Sequence, residues 1–464
     1  MLATASTADE AKYDRKAQRR SVGEVRVIRR KVPGLRDPFA AFAAIRRQFP
    51  SAFILESLTG PERLREHTFI GFGPQVVVSY ARGVLRENGH AHKTDAPFDA
   101  IRGLLDGHAE HRQEAFTGGL VGYVSYDFVR NLERVPARPS PPFPEFEFGL
   151  YQDGIVVDHR RGDAFYFSHG ADRLSGIDLS PATADDFDVG TLRLDGSPDA
   201  FMASVRKARG AIHDGEVFQV VLSRKLEGRF SGDLLSVYEA LRRINPSPYM
   251  YFLDFGDHQI VGSSPEMLLR VRERTAITYP IAGTRPLGAT PDESSALRAE
   301  LLEDEKERAE HAMLVDLARN DLGKVCAFGT VRVPEYMTAE AYSHVQHLVS
   351  RVEGTLRKER DALDAFAAMF PAGTVSGAPK PRAMELIDRL EVRPRGPYAG
   401  AVGYMSCNGN LDSAIAIRTL VAHGDRLELR AGAGVVADSD PQREWRETEH
   451  KLAALRVALE EAVL

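Results

Sequence analysis

Ile155-Val156-Val157-Asp158 and Ala164-Phe165-Tyr166-Phe167, joined through Arg160-Arg161-Gly162-Asp163, read as two short strands folding back on one another. Working outward, Ala52-Phe53-Ile54-Leu55, Thr68-Phe69-Ile70-Gly71-Phe72, Val76-Val77-Val78-Ser79-Tyr80 and Leu120-Val121-Gly122-Tyr123-Val124 are further strand-like runs bounded by turns. Beyond residue 200 helices come in blocks, predicted at about 200–213, 234–243, 292–319, 361–369, 379–390 and 441–462. Strands fall between them at 218–223, 249–255 and 259–263. Hairpin-like strands with helices in blocks predict an α+β fold built on large antiparallel sheets, rather than a doubly wound parallel one. The polar stretch 169–197 reads as a linker or an edge segment.

A chain of 464 residues, 43% hydrophobic and 27% charged, can bury a large core. A net charge of −6 argues against a general nucleic-acid binder, which needs a basic surface to neutralise phosphates. Two distant cysteines, Cys326 and Cys407, make neither a disulfide framework nor a cysteine zinc site and fit a reducing cytosol. Residues 1–22 are small and polar and predict a mobile tail without the apolar run of a secretory signal. No apolar stretch approaches the roughly 20 residues needed to cross a bilayer. A soluble, cytoplasmic protein without membrane partners is expected.

Glu307 and Glu310 stand three apart on a predicted helix, as do Glu444 and Glu447 on the last one, with Lys451 a turn further on. Like charges at this spacing repel by a few tenths of a kcal/mol per pair. Solvated surface acids are the bland reading of one such pair; two pairs point to a cation between the helices. Oxygen-only donors suit magnesium better than zinc. The last helix starts on Asp440 and Pro441, and its predicted core face is Trp445, Thr448, Leu452, Leu455 and Leu459.

Other segments carry weaker signals. Arg430-Ala431-Gly432-Ala433-Gly434 follows a strand-like run, so its glycines could let the backbone approach an anion, or simply mark a bulge. Its spacing is not that of a dinucleotide fingerprint. Glu266 follows Ser263-Ser264-Pro265 and could be a general acid if burial raised its pKa; a capping acid is the bland alternative. Tyr279 to Pro286 reads as a proline-bounded turn offering Thr284 and Arg285. His344 and His347 could each be a structural histidine or a proton carrier.

Together these segments resemble the chorismate-utilising enzymes. The likeness runs from about Val25 to the C-terminus and is most specific at Pro280–Pro286, Glu310–Gly323, Pro371–Lys380 and Ala431–Lys451. Relatives that add water carry a lysine base where this chain has Gln219. Those that attack through an enzyme amine carry a lysine where it has Ala282. The resemblance therefore implies direct ammonia attack on chorismate, giving anthranilate and pyruvate by way of aminodeoxyisochorismate, the lyase step that opens tryptophan biosynthesis. Stopping at aminodeoxyisochorismate, or making aminodeoxychorismate, are the alternatives; a tryptophan-sensing protein on a dead enzyme fold is the non-enzymatic one.

The same resemblance implies the roles. Glu310 and Glu447, with Glu307 and Glu444 nearby, would hold Mg2+ on the ring carboxylate. Arg418, Tyr398, Lys451, Gly432, Gly434 and Gly283 would bind substrate. Glu266 would protonate the departing hydroxyl, and His347 with Thr284 would manage the proton in pyruvate elimination. Leu55-Glu56-Ser57 and Pro248-Tyr249-Met250 resemble the two walls of a tryptophan feedback site. This assigns 23–190 to a part bearing the regulatory motif and 198–464 to the catalytic region. Neither cysteine lies in a Gly-x-Cys-x-Gly turn, so ammonia is expected from a separate glutamine amidotransferase subunit.

Overall fold

The computed structural model describes residues 27–105, 113–135, 143–180, 186–342 and 345–463; the expected tail at 1–22 and His344 lie outside them. Strands Asp153–Asp158 and Asp163–Ser168 pair antiparallel with Val157 opposite Ala164. From this hairpin a sheet of 13 strands runs through His67–Phe72, Ala52–Glu56, Tyr249–Asp254, His258–Ser264, Thr419–His423 and Arg426–Val435 to Gln219–Gly232. A second sheet, of 12 strands, runs from Ile281–Pro286 through Val345–Thr355, Thr275–Thr278, Met267–Arg272, Leu411–Ile415 and Ala401–Ser406 to Gly119–Val124 and Phe146–Tyr151. Adjacent strands along both paths are antiparallel.

Strand alternation explains how the sheets stack. Phe53 points into an aromatic layer shared by both sheets, while Ile54 points the other way, into a cluster with helices. In the shared layer Phe53 meets Tyr151 edge-on at 4.7 Å, and Phe69 meets Tyr404 at 5.4 Å. Removing one such fully buried ring costs roughly 3–5 kcal/mol. The outer face of the first sheet is covered by helices Pro38–Arg46, Leu234–Ile244 and Pro441–Ala462. Helices Glu305–Gly323 and Ala362–Met369 cover the second, while Lys380–Leu390 packs beside the Gln219–Gly232 strand of the first. The layers thus run helix, sheet, sheet, helix.

Both sheets contain strands of 23–190 and of 198–464, in two blocks (Phe187–Val189 aside) that meet where Ala52–Glu56 pairs with Tyr249–Asp254 and where Gly119–Val124 pairs with Ala401–Ser406. The 169–197 stretch supplies Phe187–Val189 and Arg193–Leu194, which pair along Gln219–Gly232.

Several local expectations need correction. The helix expected over 292–319 is two helices, Pro291–Glu303 and Glu305–Gly323, broken at Asp304. Asp304 caps the second by accepting the Lys306 and Glu307 amides, so one residue ends a helix and starts the next. Arg430–Gly434 is neither a bulge nor a turn but the regular continuation of strand Arg426–Val435. The expected turn at Tyr279–Pro286 contains the strand Ile281–Pro286, irregular between Ala282 and Arg285, with Gly283 at φ 64°. On the last helix Thr448, Leu452, Leu455 and Leu459 are buried as expected, but Trp445 is half-buried under the Arg224 guanidinium at 4.0 Å, and Glu444 is buried instead.

Candidate active site

The ends of both sheets and the helices Glu305–Gly323 and Pro441–Ala462 bring most of the expected catalytic residues around one cleft. Strand His258–Ser264 delivers Glu266 two residues past its end, tied to Ile415 by that residue's amide bonding the Glu266 carbonyl at 3.0 Å. Burial pushes the Glu266 carboxyl up to about 7, against the pull of the Thr374 hydroxyl and the charges of Lys451 and Arg418. Those influences place four groups in one neighbourhood that sequence separates by up to 185 positions.

Arg418 sits where the chain passes from Leu411–Ile415 in one sheet to Thr419–His423 in the other, at φ 50°. A left-handed arginine costs about 1–2 kcal/mol relative to an ordinary conformation. Among the described residues no carboxylate forms an ion pair with its guanidinium, and burial lowers its pKa against the charge of Glu266. A half-buried, unpaired guanidinium suits a carboxylate ligand held through two bonds.

His347, on Val345–Thr355, bonds the Gly283 carbonyl through Nδ1 at 2.8 Å, and Thr284 Oγ1 lies 3.1 Å from the same nitrogen. A carbonyl only accepts, so Nδ1 carries the proton and Nε2 is left as the acceptor. Burial holds the imidazole below its ordinary pKa, with Arg418 adding to the effect and the Gly283 bond opposing it. His347 is therefore a neutral base at pH 7. A side chain at Gly283 would be strained by its φ of 64° and would crowd its neighbours, with a Cβ 3.0 Å from Leu301 and 3.2 Å from the Glu307 carboxylate.

Across the cleft, Gly432 and Gly434 allow side chains to lie on the strand itself. A Cβ at Gly432 would meet the Tyr398 hydroxyl at 2.8 Å, and one at Gly434 would meet Gln219 Nε2 at the same distance. Lys451 Nζ donates to the Gly432 carbonyl at 3.0 Å and pairs with Glu447 at 2.6 Å. Tyr398 is buried, and its hydroxyl is pushed up to about 12, so it stays a neutral donor. Gln219 donates from Nε2 to Glu310 at 2.9 Å, which leaves its buried Oε1 without a partner. Ala282, on the bulged strand, carries no amine.

The four expected metal ligands form two pairs rather than one cage. Among the described residues no three acid, histidine or cysteine groups stand close enough to hold an ion. Within each pair the repulsion is visible: Glu307 is raised by burial and then by Glu310, and Glu444 by burial and Glu447. Lys306 bridges to Asp438 at 2.8 Å, linking the start of one acidic helix to the loop before the other.

The segments expected to bind tryptophan are neighbours. Met250 pairs with Glu56 and Tyr251 with Leu55 on adjacent strands, and the Leu58 amide bonds the Ser247 carbonyl at 3.2 Å. Gly60 lies against Pro248. The Glu56 carboxylate turns to the helix layer, accepting from Tyr238 at 2.7 Å and Arg242 at 2.9 Å. Tyr249 donates to Asp412 at 3.1 Å. Ser57 continues the chain beyond the paired edge.

Sequence reasoning passed over Thr374, Asp321 and Lys380, although it quoted the segments that contain them. Asp321 and Lys380 form a buried ion pair at 2.6 Å. An unbroken Gly-Thr-x-Ser-Gly run before a proline and a lysine was the available signal.

A family model described as chorismate binding enzyme matches residues 50–457. The anthranilate synthase component 1 of Methanothermobacter marburgensis is 48% identical over 436 residues, covering 92% of this chain and 94% of the relative. That of Thermus thermophilus is 42% identical, covering 92% and 96%. Among solved structures, anthranilate synthase component I from Streptococcus pneumoniae superposes with a TM-score of 0.77 at 37% identity, covering 84% of this chain and 92% of that one. The menaquinone-specific isochorismate synthase of Escherichia coli shares the fold, with a TM-score of 0.74 at 23% identity over 94% of each chain. This chain belongs to the chorismate-binding enzymes and, within them, to the anthranilate synthase component 1 family.

Proposed function

We propose that this chain converts chorismate and ammonia to anthranilate and pyruvate, the first committed step toward tryptophan. The observation that carries the reading is the pairing of a protonated acid with a neutral base around an unpaired guanidinium: Glu266 at about 7, His347 with Nε2 free, and Arg418 between them in charge influence. Amination followed by elimination needs both a proton donor and a proton acceptor.

Arg418 and the Tyr398 hydroxyl, with Lys451, bind the enolpyruvyl carboxylate. Ammonia attacks the ring carbon next to the carboxylate-bearing one while Glu266 gives its proton to the departing hydroxyl. Gln219 has no basic nitrogen, so it cannot deprotonate water, and its orphaned Oε1 accepts an N–H of the nucleophile. His347 Nε2 then takes the ring proton as the enolpyruvyl group leaves and becomes pyruvate, with Thr284 and Gly283 holding the imidazole. Glu310 and Glu447, backed by Glu307 and Glu444, would hold Mg2+; their oxygen-only donors and like-charge strain fit a divalent cation. When bound, that ion supplies Lewis-acid stabilisation of the ring carboxylate.

Ammonia comes from a glutamine amidotransferase subunit. Cys326 and Cys407 are both buried, and burial pushes their thiols up to about 11 and about 12, far from the thiolate a glutaminase needs. Free buried thiols also suit the cytoplasm, and among the described residues no helix is long and apolar enough to cross a membrane. Tryptophan inhibits by binding where Leu55, Glu56 and Ser57 lie beside Pro248, Tyr249 and Met250.

Purified protein with chorismate, Mg2+ and ammonium at raised pH should generate anthranilate fluorescence. Chromatography showing aminodeoxyisochorismate or aminodeoxychorismate as the end product would overturn the assignment, and no turnover at all would favour a sensing role.

A further inference from the structure

We propose that the cavity behind Glu266 is the path by which this residue regains its proton between turnovers, with Thr374 as the relay next to it. The inference rests on Glu266 being the acid of the proposed reaction. A cavity of about 40 Å³ is lined by Glu266 and Thr374, by Leu317, Ala318 and Met369, and by Asp321. At about 10–15 Å³ per water it has room for roughly three. Thr374 Oγ1 is buried and directed at the Glu266 carboxylate, whose charged form it favours as a hydrogen-bond donor, and among the described residues it has no other partner. A hydroxyl that donates to the carboxylate keeps its oxygen lone pairs as acceptors, so a water in the cavity can donate to it and complete a relay. The Asp321 carboxylate accepts from Lys380 at 2.6 Å and from Lys324 at 2.9 Å, and Lys324 is half-exposed, so the far lining reaches solvent through ionised groups.

The proton balance calls for such a path. When the C–O bond breaks, Glu266 gives up its proton and the hydroxyl leaves as water, so a carboxylate remains. The nitrogen arrives as NH3, forms the C–N bond and must shed one proton of its own. One proton is released at the nitrogen and one is owed at Glu266, at different atoms, and they balance only through solvent. The cavity supplies an approach to the carboxylate lined by Thr374 on one side and Asp321 on the other.

Ala318→Leu fills the cavity without touching the cleft, and Thr374→Val removes the relay hydroxyl. In rapid mixing with excess chorismate and ammonium, Ala318→Leu should complete the first turnover at the wild-type rate. Thr374→Val also loses the hydroxyl's bond to Glu266, so it is read by the rate of its later turnovers relative to its own first. Later turnovers should run about 10-fold slower, with the chorismate KM unchanged. Ala318→Ser, which leaves the space open, should match wild type in both phases, and circular dichroism checks that each variant is folded. Wild-type rates in both phases for the two blocking variants would overturn the proposal, and so would a first turnover slowed as much as the later ones. The reaction reading is tested separately in the same run by whether wild type makes anthranilate.

Discussion

Replacing Glu266 by Gln should remove activity and at the same time stabilise the protein, but only at high pH. The folded carboxyl titrates at about 7 against 4.5 for an unperturbed glutamate, because its site penalises charge. The folded state therefore holds this proton more tightly than the unfolded chain. Stability is undiminished below about pH 4.5, falls as pH rises from there to 7, and stays reduced above it. A shift of about 2.5 units corresponds to about 3 kcal/mol, and the partial exposure of Glu266 to the cleft reduces this to about 2 kcal/mol. Glutamine has the same shape and no charge. Urea unfolding of the two proteins at pH 8 should thus differ by about 2 kcal/mol in favour of Glu266→Gln, and the difference should shrink to roughly a quarter of that at pH 5 and vanish toward pH 4. Anthranilate formation with saturating ammonium should fall by a factor of about 100 or more, the range for loss of a general acid. A stability gain of equal size at pH 5 and pH 8 would show that charge burial is not its source. Near-normal turnover would remove Glu266 from the acid role.

Four further outcomes follow from the cleft. His347→Met should slow anthranilate formation about 100-fold or more while amination continues, so chromatography should find aminodeoxyisochorismate accumulating. Arg418→Ala should lower kcat/KM for chorismate by about 10- to 100-fold, from the loss of a charged hydrogen-bonded pair worth about 1.5–3 kcal/mol, measured in steady-state assays. Gly434→Ala would set a Cβ 2.8 Å from Gln219 Nε2 and displace it from Glu310, so ammonium-dependent activity should drop several-fold with little change in urea midpoint. Ser57→Leu should crowd the space beside Met250 and raise the tryptophan concentration needed for half-inhibition, leaving uninhibited turnover unchanged.

Alternation and turn chemistry carried much of the fold. The pairing of 155–158 with 164–167 was readable because both runs alternate around a polar, glycine-containing turn, and a hairpin is a local decision. Which strands would lie beside Ala52–Glu56 was not readable, since its partner Tyr249–Asp254 is almost 200 residues away and the choice is made by packing between layers. The break at Asp304 was visible as an aspartate three residues before a glutamate, yet no proline or glycine interrupts the helix formers around it. At the site, Glu266, His347 and Arg418 were named through family likeness. What sequence could not supply was the state of each: the neutrality of His347 and the missing partner of Arg418 come from burial and from neighbours on other strands. Thr374 escaped because a lone threonine in a glycine-rich run has no periodic or charge signature.

The pairing of strands distant in sequence within one sheet also bears on how the protein is made. Gly119–Val124 is a fully buried strand whose neighbour Ala401–Ser406 is joined to it with Gly119 opposite Ser406. At roughly 5–20 residues per second, a ribosome needs about 15–60 s to deliver that neighbour. For this interval a hydrophobic strand edge waits in the nascent polypeptide with nothing to pair with on that side. Newly made copies should therefore depend on chaperones more than a protein of similar size whose strands pair with their immediate successors, and shortening the C-terminus should yield aggregates rather than a smaller folded enzyme.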